Sequence, residues 1–433
     1  MQHIHTLFEH ETQTCQLDDR QLALLDQLQQ RLPEKVLQPV YRAGGWALRA
    51  SQYVGVIRVG NATIQILPKI YQSSSSAPIE VRAREATANL LHMLAYAGFI
   101  QVRESDQANL LRQESDWFEL LTYLFATHLR DEWRRGPVRS YITIEDELPL
   151  LKGKWRLDVQ LRRPERKHRF AVAYDEYTVD IPLNRIFRFV VERLSRLTRS
   201  SVNARMLGEL RALLDDVTLL PVASTADADR VAFSRLTARY EPLLNLARLF
   251  LDGGALQTAS GDTRLFAFVF DMNAVFEGFI AGFLHRHRLI ALPPELQGSA
   301  LAVQARGKQL HLAVTANQPV FRLKPDLLFH QNNQTMLIAD TKYKRLHVTE
   351  RKLGISEADF YQMFAYARRY ACPHVVLLYP QHAEMGTGIE RLFQLHDGEH
   401  TVLAATVNLS HDLGKRSAKE SLAAELAHIL TKR

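Results

Sequence analysis

The segment between residues 310 and 380 constrains the fold more than any other part of the chain, because its hydrophobic period changes from strand to helix and back. Apolar patterning predicts four strands, at Leu310–Thr315, Phe321–Phe329, Thr335–Tyr343 and His374–Tyr379. The polar residues 331–334 predict a turn that makes the second and third strands antiparallel. A helix is predicted from Ser356 to Tyr370, with Ser356 and Asp359 in a capping pattern. Strand, helix and strand at this spacing imply a right-handed parallel crossover, and therefore a mixed α/β fold.

The residues before this segment predict a small β unit followed by helices. Short strand-like runs occur at Val36–Tyr41, Trp46–Ala50, Tyr53–Val59 and Ala62–Leu67. Gly60-Asn61 predicts a hairpin turn between the last two strands, and Ser73–Ser76 predicts an exposed loop. Helical spacing follows at Glu85–Tyr96, Trp117–Arg130, Leu183–Leu197, Asn203–Leu214 and Tyr240–Phe250, and a last helix is predicted at Lys415–Lys432. The expected fold class is α/β, or α+β over the whole chain.

Composition favours a soluble, cytoplasmic protein with a polyanionic partner. The 433 residues carry 54 Lys and Arg against 47 Asp and Glu, a net charge of +7 that suits a polyanion. The two cysteines, Cys15 and Cys372, are too few for a disulfide scaffold or a four-cysteine zinc site. No apolar run reaches the ~18 residues of a membrane span, and residues 1–13 lack the apolar core of a signal peptide.

Most of the net positive charge lies in one short segment, Lys152–Arg169. It holds eight Lys and Arg residues against two acids within 18 residues. Aromatic residues are sparse there, with Trp155 and Phe170 as the neighbours that could stack on bases. Two interpretations stay open: contacts with nucleic-acid phosphates, which release counterions, or a solvated loop around Pro164.

The chemistry is indicated by Lys324-Pro325-Asp326 and by Asp340-Thr341-Lys342, in which the two aspartates are fourteen residues apart. The predicted hairpin brings Asp326 and Asp340 to the same end of the sheet, and two-residue spacing puts Asp340 and Lys342 on one face. Asp340 ends an apolar run, so its carboxylate is expected to be partly desolvated and to require a cation or a donor. Two carboxylates and a backbone carbonyl, such as that of Thr341, suit Mg²⁺. An adjacent ammonium can orient water or stabilise charge on a phosphate, which outlines a metal-dependent phosphodiester hydrolase.

Flanking residues favour such a site over the alternative, a chance triplet of solvated charges at strand ends. Asp359, Gln362 and Tyr366 share one face of the predicted helix. Glu277 lies beside the apolar stripe of another helix, predicted at Asp271–Leu284. A glutamate at the edge of an apolar face is also common in ordinary packing, so both interpretations of Glu277 stay open.

In this order the motifs resemble the PD-(D/E)xK nuclease superfamily, and more narrowly the McrC family, the nuclease subunits of McrBC modification-dependent restriction systems. The resemblance rests first on Phe276-Glu277, Pro325-Asp326, Asp340–Tyr343 and the helix Tyr361–Tyr366. In the first part of the chain it rests on Ile64–Ile70, Leu151–Lys154, Tyr174–Tyr177 with Asn184, and Phe270–Asn273. These matches extend over about residues 55–380, in an order that is more specific than any single motif.

The resemblance implies roles for residues at matching positions. Asp326 and Asp340 would bind Mg²⁺, and Lys342 would position the attacking water. Glu277 would join or orient the metal ligands, and Gln362 would steady the edge of the active site or a phosphate. It also implies modified double-stranded DNA as the substrate and a hexameric McrB-like AAA+ GTPase as the partner, which recognises 5-methylcytosine and uses the GTP. The chain itself has no GxxxxGK[ST] phosphate loop.

Three consecutive regions are predicted. Residues 1–150 form a β-rich and helical domain that docks on the AAA+ partner, residues 151–262 a basic segment with a helical connector, and residues 263–433 the endonuclease domain. The glycine-containing segment Leu251–Thr263 is the best boundary. The alternative function is a non-catalytic, DNA-binding activator of an AAA+ GTPase with a degenerate nuclease fold, but the intact Asp326, Asp340 and Lys342 favour the endonuclease.

Overall fold

The structure is a computed structural model, and the residues that it describes are 3–15, 17–30, 35–42, 45–60, 62–71, 78–103, 117–162, 165, 168–235, 237–252, 265–382, 385, 387–410 and 412–431. Parts of five predictions lie outside these residues. They are Asn61 of the predicted turn, the loop Ser73–Ser76, four residues of Lys152–Arg169, most of Leu251–Thr263 and the last residue of the helix Lys415–Lys432.

The strands are numbered along the whole chain as β1 (His3–Phe8), β2 (Thr12–Thr14), β3 (Leu37–Arg42), β4 (Gly45–Ala50), β5 (Tyr53–Val59), β6 (Ala62–Leu67), β7 (Ser140–Leu148), β8 (Lys154–Trp155), β9 (Phe170–Thr178), β10 (Leu265–Asp271), β11 (Ala300–Val303), β12 (His311–Thr315), β13 (Gln318–Arg322), β14 (Leu327–Gln331), β15 (Gln334–Thr341), β16 (His374–Pro380), β17 (Glu390–Gln394) and β18 (Thr401–Val407). The helices are α1 (Asp19–Gln29), α2 (Ile79–Tyr96), α3 (Trp117–Arg134), α4 (Leu157–Gln160), α5 (Pro182–Leu197), α6 (Ser201–Leu213), α7 (Thr225–Asp229), α8 (Glu241–Asp252), α9 (Met272–Arg286), α10 (Arg288–Ala291), α11 (Pro294–Gln297), α12 (Glu357–Arg369) and α13 (Arg416–Thr431). The predicted strands and helices of the first 135 residues, and the later helices, are confirmed. Most ends shift by one or two residues, but α2 begins six residues before its prediction and α3 ends four residues after it.

Packing divides the chain into two compact units. Residues 1–117 and 255–433 form unit 1, and residues 118–254 form unit 2. The division after residue 254 lies within the predicted boundary segment Leu251–Thr263, but the first and last parts of the chain form one unit, and residues 118–150 belong to the middle one. One reason is that β10 pairs with β5, which joins both ends of the chain in unit 1. The other is that β7, before residue 150, pairs with β9 after it. The roles predicted for residues 1–150, 151–262 and 263–433 stay predictions.

Unit 1 contains two larger sheets, ordered β1-β6-β5-β10 and β11-β14-β15-β16-β18-β17. In the second sheet β14 and β15 are antiparallel, and β16 lies parallel to β15 after the intervening helix α12, which confirms the predicted hairpin and the parallel crossover. Leu328, Ile338, Met363 and Leu377 are buried in the core between this sheet and α12. The site described below therefore rests on a closely packed apolar layer.

The single strand predicted at Phe321–Phe329 is wrong. The chain instead forms β13, which pairs with β12 in a separate hairpin, and then β14, with residues 323–326 between them. Pro325 has no N–H to donate to a strand ladder. The backbone N–H of Asp326 faces the Asp340 carboxylate instead of a strand neighbour.

Two helix starts in unit 1 follow from side-chain caps. The Ser356 hydroxyl accepts a hydrogen bond from the Asp359 N–H at 3.1 Å and begins α12, as predicted. Asp271 accepts from the Asn273 N–H at 2.9 Å and begins α9. Helix α9 approaches α2 closely at Gly282, where a Cβ atom would lie 1.9 Å from the Tyr96 carbonyl oxygen. A glycine is therefore required at this crossing.

Unit 2 combines helices α3 to α8 with a sheet ordered β7-β9-β8. The β7–β9 ribbon pairs residues from Ser140 with Thr178 to Leu148 with Phe170. Helix α5 buries Ile186, Phe187 and Val190 in the core of this unit.

No helix in the described part of the chain has the length and hydrophobicity needed to cross a membrane.

Candidate active site

The two aspartates predicted as metal ligands meet where β14 begins and β15 ends. The backbone N–H of Asp326 points to Oδ1 of Asp340 at 3.4 Å. In return, the N–H and the hydroxyl of Thr341 donate to Oδ2 of Asp326 at 2.8 and 2.7 Å. The hairpin therefore brings two carboxylates from separate strands to one end of the sheet, as the sequence predicts.

Asp340 is a buried carboxylate with a like charge beside it. It is only 1% exposed. Burial and the neighbouring Asp326 raise the pKa of Asp340 from 3.8 to about 7, against the opposing effect of Lys342. Burial also raises the pKa of Asp326, although its hydrogen bonds from Thr341 act in the other direction. Ionisation of one carboxyl group therefore disfavours ionisation of the other, and a cation at this position would stabilise both charged forms.

Lys342 lies on the same face as Asp340, with Nζ 2.5 Å from Oδ2 of that carboxylate. Burial alone would lower the pKa of Lys342, but the carboxylates of Asp340 and Asp326 outweigh it and raise the pKa. The same Nζ donates to Oε1 of Gln362 at 3.0 Å, on helix α12. Lys342 is therefore a protonated ammonium with a fixed direction.

Gln362 and Tyr366 hold this lysine from the helix side. Gln362 Nε2 donates to the Tyr366 hydroxyl at 3.0 Å, one helical turn along α12. Burial, followed by the two aspartates, raises the pKa of Tyr366, so the hydroxyl stays protonated. Asp359, on the predicted face, instead pairs with Lys344 at 2.6 Å. Gln362 and Tyr366 thus belong to the hydrogen-bond network of Lys342, whereas Asp359 pairs with the neighbouring Lys344.

Glu277 reaches the site through a residue that the sequence did not indicate, Gln304. Glu277 Oε1 accepts a hydrogen bond from Gln304 Nε2 at 2.9 Å, and the Gln304 N–H donates to the Asp326 carbonyl oxygen at 2.8 Å. Burial and the charge of Asp326 raise the pKa of Glu277. Glu277 therefore lies within electrostatic reach of Asp326. Gln304 has φ 51° in a turn after β11, and no sequence motif marks it.

The donor set fits Mg²⁺. Among the described residues, no group of three or more His, Cys, Asp or Glu side chains is arranged to hold a metal ion. At the site centre the carboxyl groups of Asp326 and Asp340 meet. Ligation by the Thr341 carbonyl stays a prediction. Mg²⁺ commonly takes one or two carboxylates and completes its shell with water and phosphate oxygens, whereas zinc sites use three or four protein ligands. Direct ligation by Glu277 stays a prediction.

A second buried polar cluster, of Glu9, Lys69 and Tyr343, adjoins the end of β15. Glu9 Oε2 accepts hydrogen bonds from the Lys69 backbone N–H at 2.9 Å and from the Tyr343 hydroxyl at 2.8 Å. Lys69 Nζ donates to the Tyr343 carbonyl oxygen at 3.2 Å and lies 4.4 Å from the centroid of its ring. Burial raises the pKa of Glu9 to about 7, against the opposing charge of Lys69. Because Tyr343 follows Lys342 directly, this cluster stabilises the backbone next to the lysine.

The basic segment Lys152–Arg169 belongs to unit 2. Lys152 Nζ lies 3.6 Å from the ring centroid of Tyr174. Arg156 forms ion pairs with Glu145 and Asp158. Part of the segment's charge is thus balanced within the unit.

Together the fold and the site define a mixed α/β protein with a buried Asp–Asp–Lys cluster at the end of a β-hairpin. The family profile for the "McrBC 5-methylcytosine restriction system component" matches residues 48–380. The chain belongs to this family, which confirms the family predicted from the sequence motifs. No curated protein matches the chain.

Two solved structures are similar to this chain. The chain is similar to one in the refined half-complex from the tetradecameric assembly of Thermococcus gammatolerans McrB AAA+ hexamers with bound McrC. The TM-score is 0.68 with 24% sequence identity, over 98% of this chain and 100% of that chain. A chain in the cryo-EM structure of the Thermococcus gammatolerans McrBC complex has a TM-score of 0.49 and 27% identity, over 66% of this chain and 88% of that one. The first similarity confirms the α/β fold class over nearly the whole length.

Proposed function

We propose that this chain is the Mg²⁺-dependent endonuclease subunit of an McrBC-type restriction system and hydrolyses phosphodiester bonds of modified double-stranded DNA. The observation that carries the proposal is the meeting of Asp326, Asp340 and Lys342, in which the ammonium lies 2.5 Å from a buried carboxylate. Membership of the McrBC restriction family supports the same class of protein.

Asp326 and Asp340 would hold the metal ion, with the Thr341 carbonyl as a further oxygen ligand. Mg²⁺, when bound, supplies positive charge to a phosphate oxygen of the DNA backbone. The ammonium of Lys342 orients the attacking water and stabilises the negative charge that develops on the phosphate. This charge is most effective here because the site is largely shielded from water.

The surrounding residues act through these three. Gln362 accepts a hydrogen bond from Lys342 and is itself held by Tyr366, so that the ammonium keeps one direction. Glu277, through Gln304, orients the backbone carbonyl of Asp326. Both are proposed as positioning residues, since neither needs to contact the DNA.

The proposed partner is a hexameric McrB-like AAA+ GTPase, which would recognise the modified base and use the GTP. The Thermococcus gammatolerans assembly, in which McrB AAA+ hexamers carry bound McrC, supports this choice. Residues 1–150 are proposed to contribute the docking surface. Within them, Tyr141 on β7 is 71% exposed and its ring centroid lies 5.1 Å from that of the exposed Tyr177. An exposed aromatic pair on a two-stranded ribbon suits a protein interface.

The substitution Asp340→Ala tests the proposed nuclease. It is expected to abolish Mg²⁺-dependent cleavage of methylated DNA in the presence of the GTPase, because one of two metal-binding carboxylates is lost. Stimulation of GTP turnover is expected to stay at the parent level, since the substituted residue is buried inside unit 1. Asp397→Ala, in the turn between β17 and β18, is the control and should cleave normally. Cleavage by purified Asp340→Ala at the parent rate would exclude this site.

A further inference from the structure

The hairpin β12–β13 is an exposed element of unit 1 that leaves and re-enters the chain close to residues of the candidate active site. It lies in the chain between Gln304, which bonds to Asp326, and Asp326 itself. No residue from 311 to 322 is buried, and all of them are described. A hairpin that contributes nothing to the core needs another explanation, because two strands alone are marginally stable in water.

The base of the hairpin is attached firmly to the rest of unit 1. The Leu323 N–H donates to the Leu310 carbonyl at 2.8 Å, and Leu323 is buried. Helix α12 holds the other side, where Arg369 Nε donates to the His311 carbonyl at 2.8 Å and the Tyr370 hydroxyl to the Lys308 carbonyl at 3.1 Å. The hairpin therefore has a fixed direction relative to the helix that carries Gln362.

Beyond that base, the hairpin exposes large apolar side chains. Leu312 is 52%, Val314 69% and Phe321 73% exposed. Leu312 and Val314 are two residues apart in β12 and share one face. Phe321 also has φ 58°, a left-handed conformation that is strained for a residue with a Cβ atom. Exposed apolar groups and backbone strain in one short element are typical of a binding surface.

The charge around these side chains indicates the kind of partner. From residue 296 to residue 325 the sequence has no Asp or Glu, whereas it has Arg306, Lys308, Arg322 and Lys324. Such a surface complements a polyanion. Proteins that bind DNA combine Lys and Arg contacts to phosphates with apolar side chains placed against sugars or between base steps.

We infer that β12–β13 contacts the DNA next to the bond that is cleaved. Arg322 faces a phosphate, while Leu312, Val314 and Phe321 contact the sugar and base surface; Lys308 Nζ, at the base, donates to Asn333 Oδ1 at 2.6 Å. Arg322 and Asp326 are four positions apart in the chain, so their Cα atoms lie within about 14 Å, a span of about four base pairs. The hairpin would thus fix the position of the duplex relative to the two aspartates. This inference rests on the proposed function, because it takes DNA as the substrate.

The test measures DNA binding in the full-length Asp340→Ala chain, so that cleavage does not interfere. Binding of a fluorescently labelled DNA duplex is followed by anisotropy over a series of salt concentrations. Phe321→Ala is expected to raise Kd by about tenfold, the order of effect of losing one aromatic contact with a base. Arg322→Ala is expected to reduce the salt slope by about one. Tyr41→Ala is the matched control, since Tyr41 is also an aromatic residue of unit 1 that is 73% exposed.

A second variant separates binding from folding. Phe321→Gly removes the side chain but also relieves the positive φ, so it is expected to raise Tm while weakening DNA binding. The inference would be overturned if the hairpin variants bound DNA with the same Kd as Tyr41→Ala. It would also be overturned if the Asp340→Ala chain did not bind DNA at all. It would also be overturned if the variants changed only self-association or GTPase stimulation, which would assign the surface to a protein partner. Failure of the parent chain to cleave DNA would refute the proposed nuclease but leave this binding comparison intact.

Discussion

The substitution Asp340→Asn is expected to stabilise the protein while it removes the proposed metal ligand. The pKa of Asp340 rises from 3.8 to about 7 on folding. A carboxyl whose folded pKa is raised contributes stability below the unfolded pKa, and this contribution is lost as pH rises through the folded pKa. Each pH unit between the two values corresponds to ~1.4 kcal/mol, so the ionised carboxylate costs up to about 4 kcal/mol above neutral pH. Asparagine keeps the shape and has no charge to desolvate.

The assay is urea unfolding of parent and variant without divalent cations, at about pH 5 and about pH 8. The difference in free energy of unfolding between Asp340→Asn and the parent is expected to be about 3 kcal/mol larger at about pH 8 than at about pH 5. The reason is that about two pH units lie between pH 5 and the folded pKa of Asp340, and each contributes ~1.4 kcal/mol. Adding Mg²⁺ should stabilise the parent and not the variant, since a ligand stabilises only the state that binds it.

Asp359→Asn is a matched control with the opposite sign. Asp359 is also a nearly buried aspartate of unit 1, but the hydrogen bonds from Lys344 and Ser356 outweigh its burial and lower its pKa. Its stability contribution is present above the unfolded pKa and is lost only as pH falls below it. Asp359→Asn should therefore be less stable than the parent by a similar amount at both conditions. If the stability difference between Asp340→Asn and the parent does not change with pH, the inference that the ionised Asp340 carboxylate destabilises the fold is refuted.

Two further predictions concern residues of unit 1, Glu9 and Gly282, and the second has a matched control in unit 2. Burial raises the pKa of Glu9 from 4.5 to about 7, and the amide of Glu9→Gln has no charge to bury. The free energy of unfolding of this variant should therefore rise by up to about 3 kcal/mol relative to the parent between about pH 5 and about pH 8. Urea unfolding measures this difference, and a value that does not change with pH would contradict the prediction. Gly282→Ala should destabilise by about 1–3 kcal/mol or more, since its Cβ would meet the Tyr96 carbonyl oxygen. Gly208→Ala in α6, with nothing within 4 Å, should stabilise by about 0.5–1 kcal/mol. Thermal unfolding distinguishes the two glycines, and equal shifts would refute the close approach of α2 and α9.

The placement of Asp326, Asp340 and Lys342 could be predicted because all three depend on one local hairpin. The turn between β14 and β15 determines which residues of the two strands pair, and side-chain alternation determines which side chains share a face of the sheet. Gln362 follows similarly from helical spacing on α12. Glu9 could not be predicted, because its partner Tyr343 lies 334 residues away and nothing in the local pattern of β1 shows that pairing. Gln304 was missed for a related reason, since its backbone conformation, and not its residue type, brings it to Asp326.

The wrong strand at Phe321–Phe329, and the difference between the compact units and the three predicted regions, have a similar cause. Apolar residues on both sides of Lys324-Pro325 suggest one strand at Phe321–Phe329, but the proline and the exposed position of Phe321 separate β13 from β14. The three consecutive regions assume that neighbours in sequence pack together. Leu265 instead pairs with Val59, a contact between positions 206 residues apart that only the completed sheet determines.

That long-range pairing has a consequence for synthesis of the protein on the ribosome. Strand β5 is fully buried in the finished sheet, with β6 on one side and β10 on the other. At ~5–20 residues per second, β10 emerges about 10 to 40 s after β5. During that interval the open edge of β5 can recruit strands from other chains, whereas residues 118–254 are complete and free to fold. Chains that end before residue 265 never close this edge, so premature termination is expected to yield aggregating fragments and not a working N-terminal half.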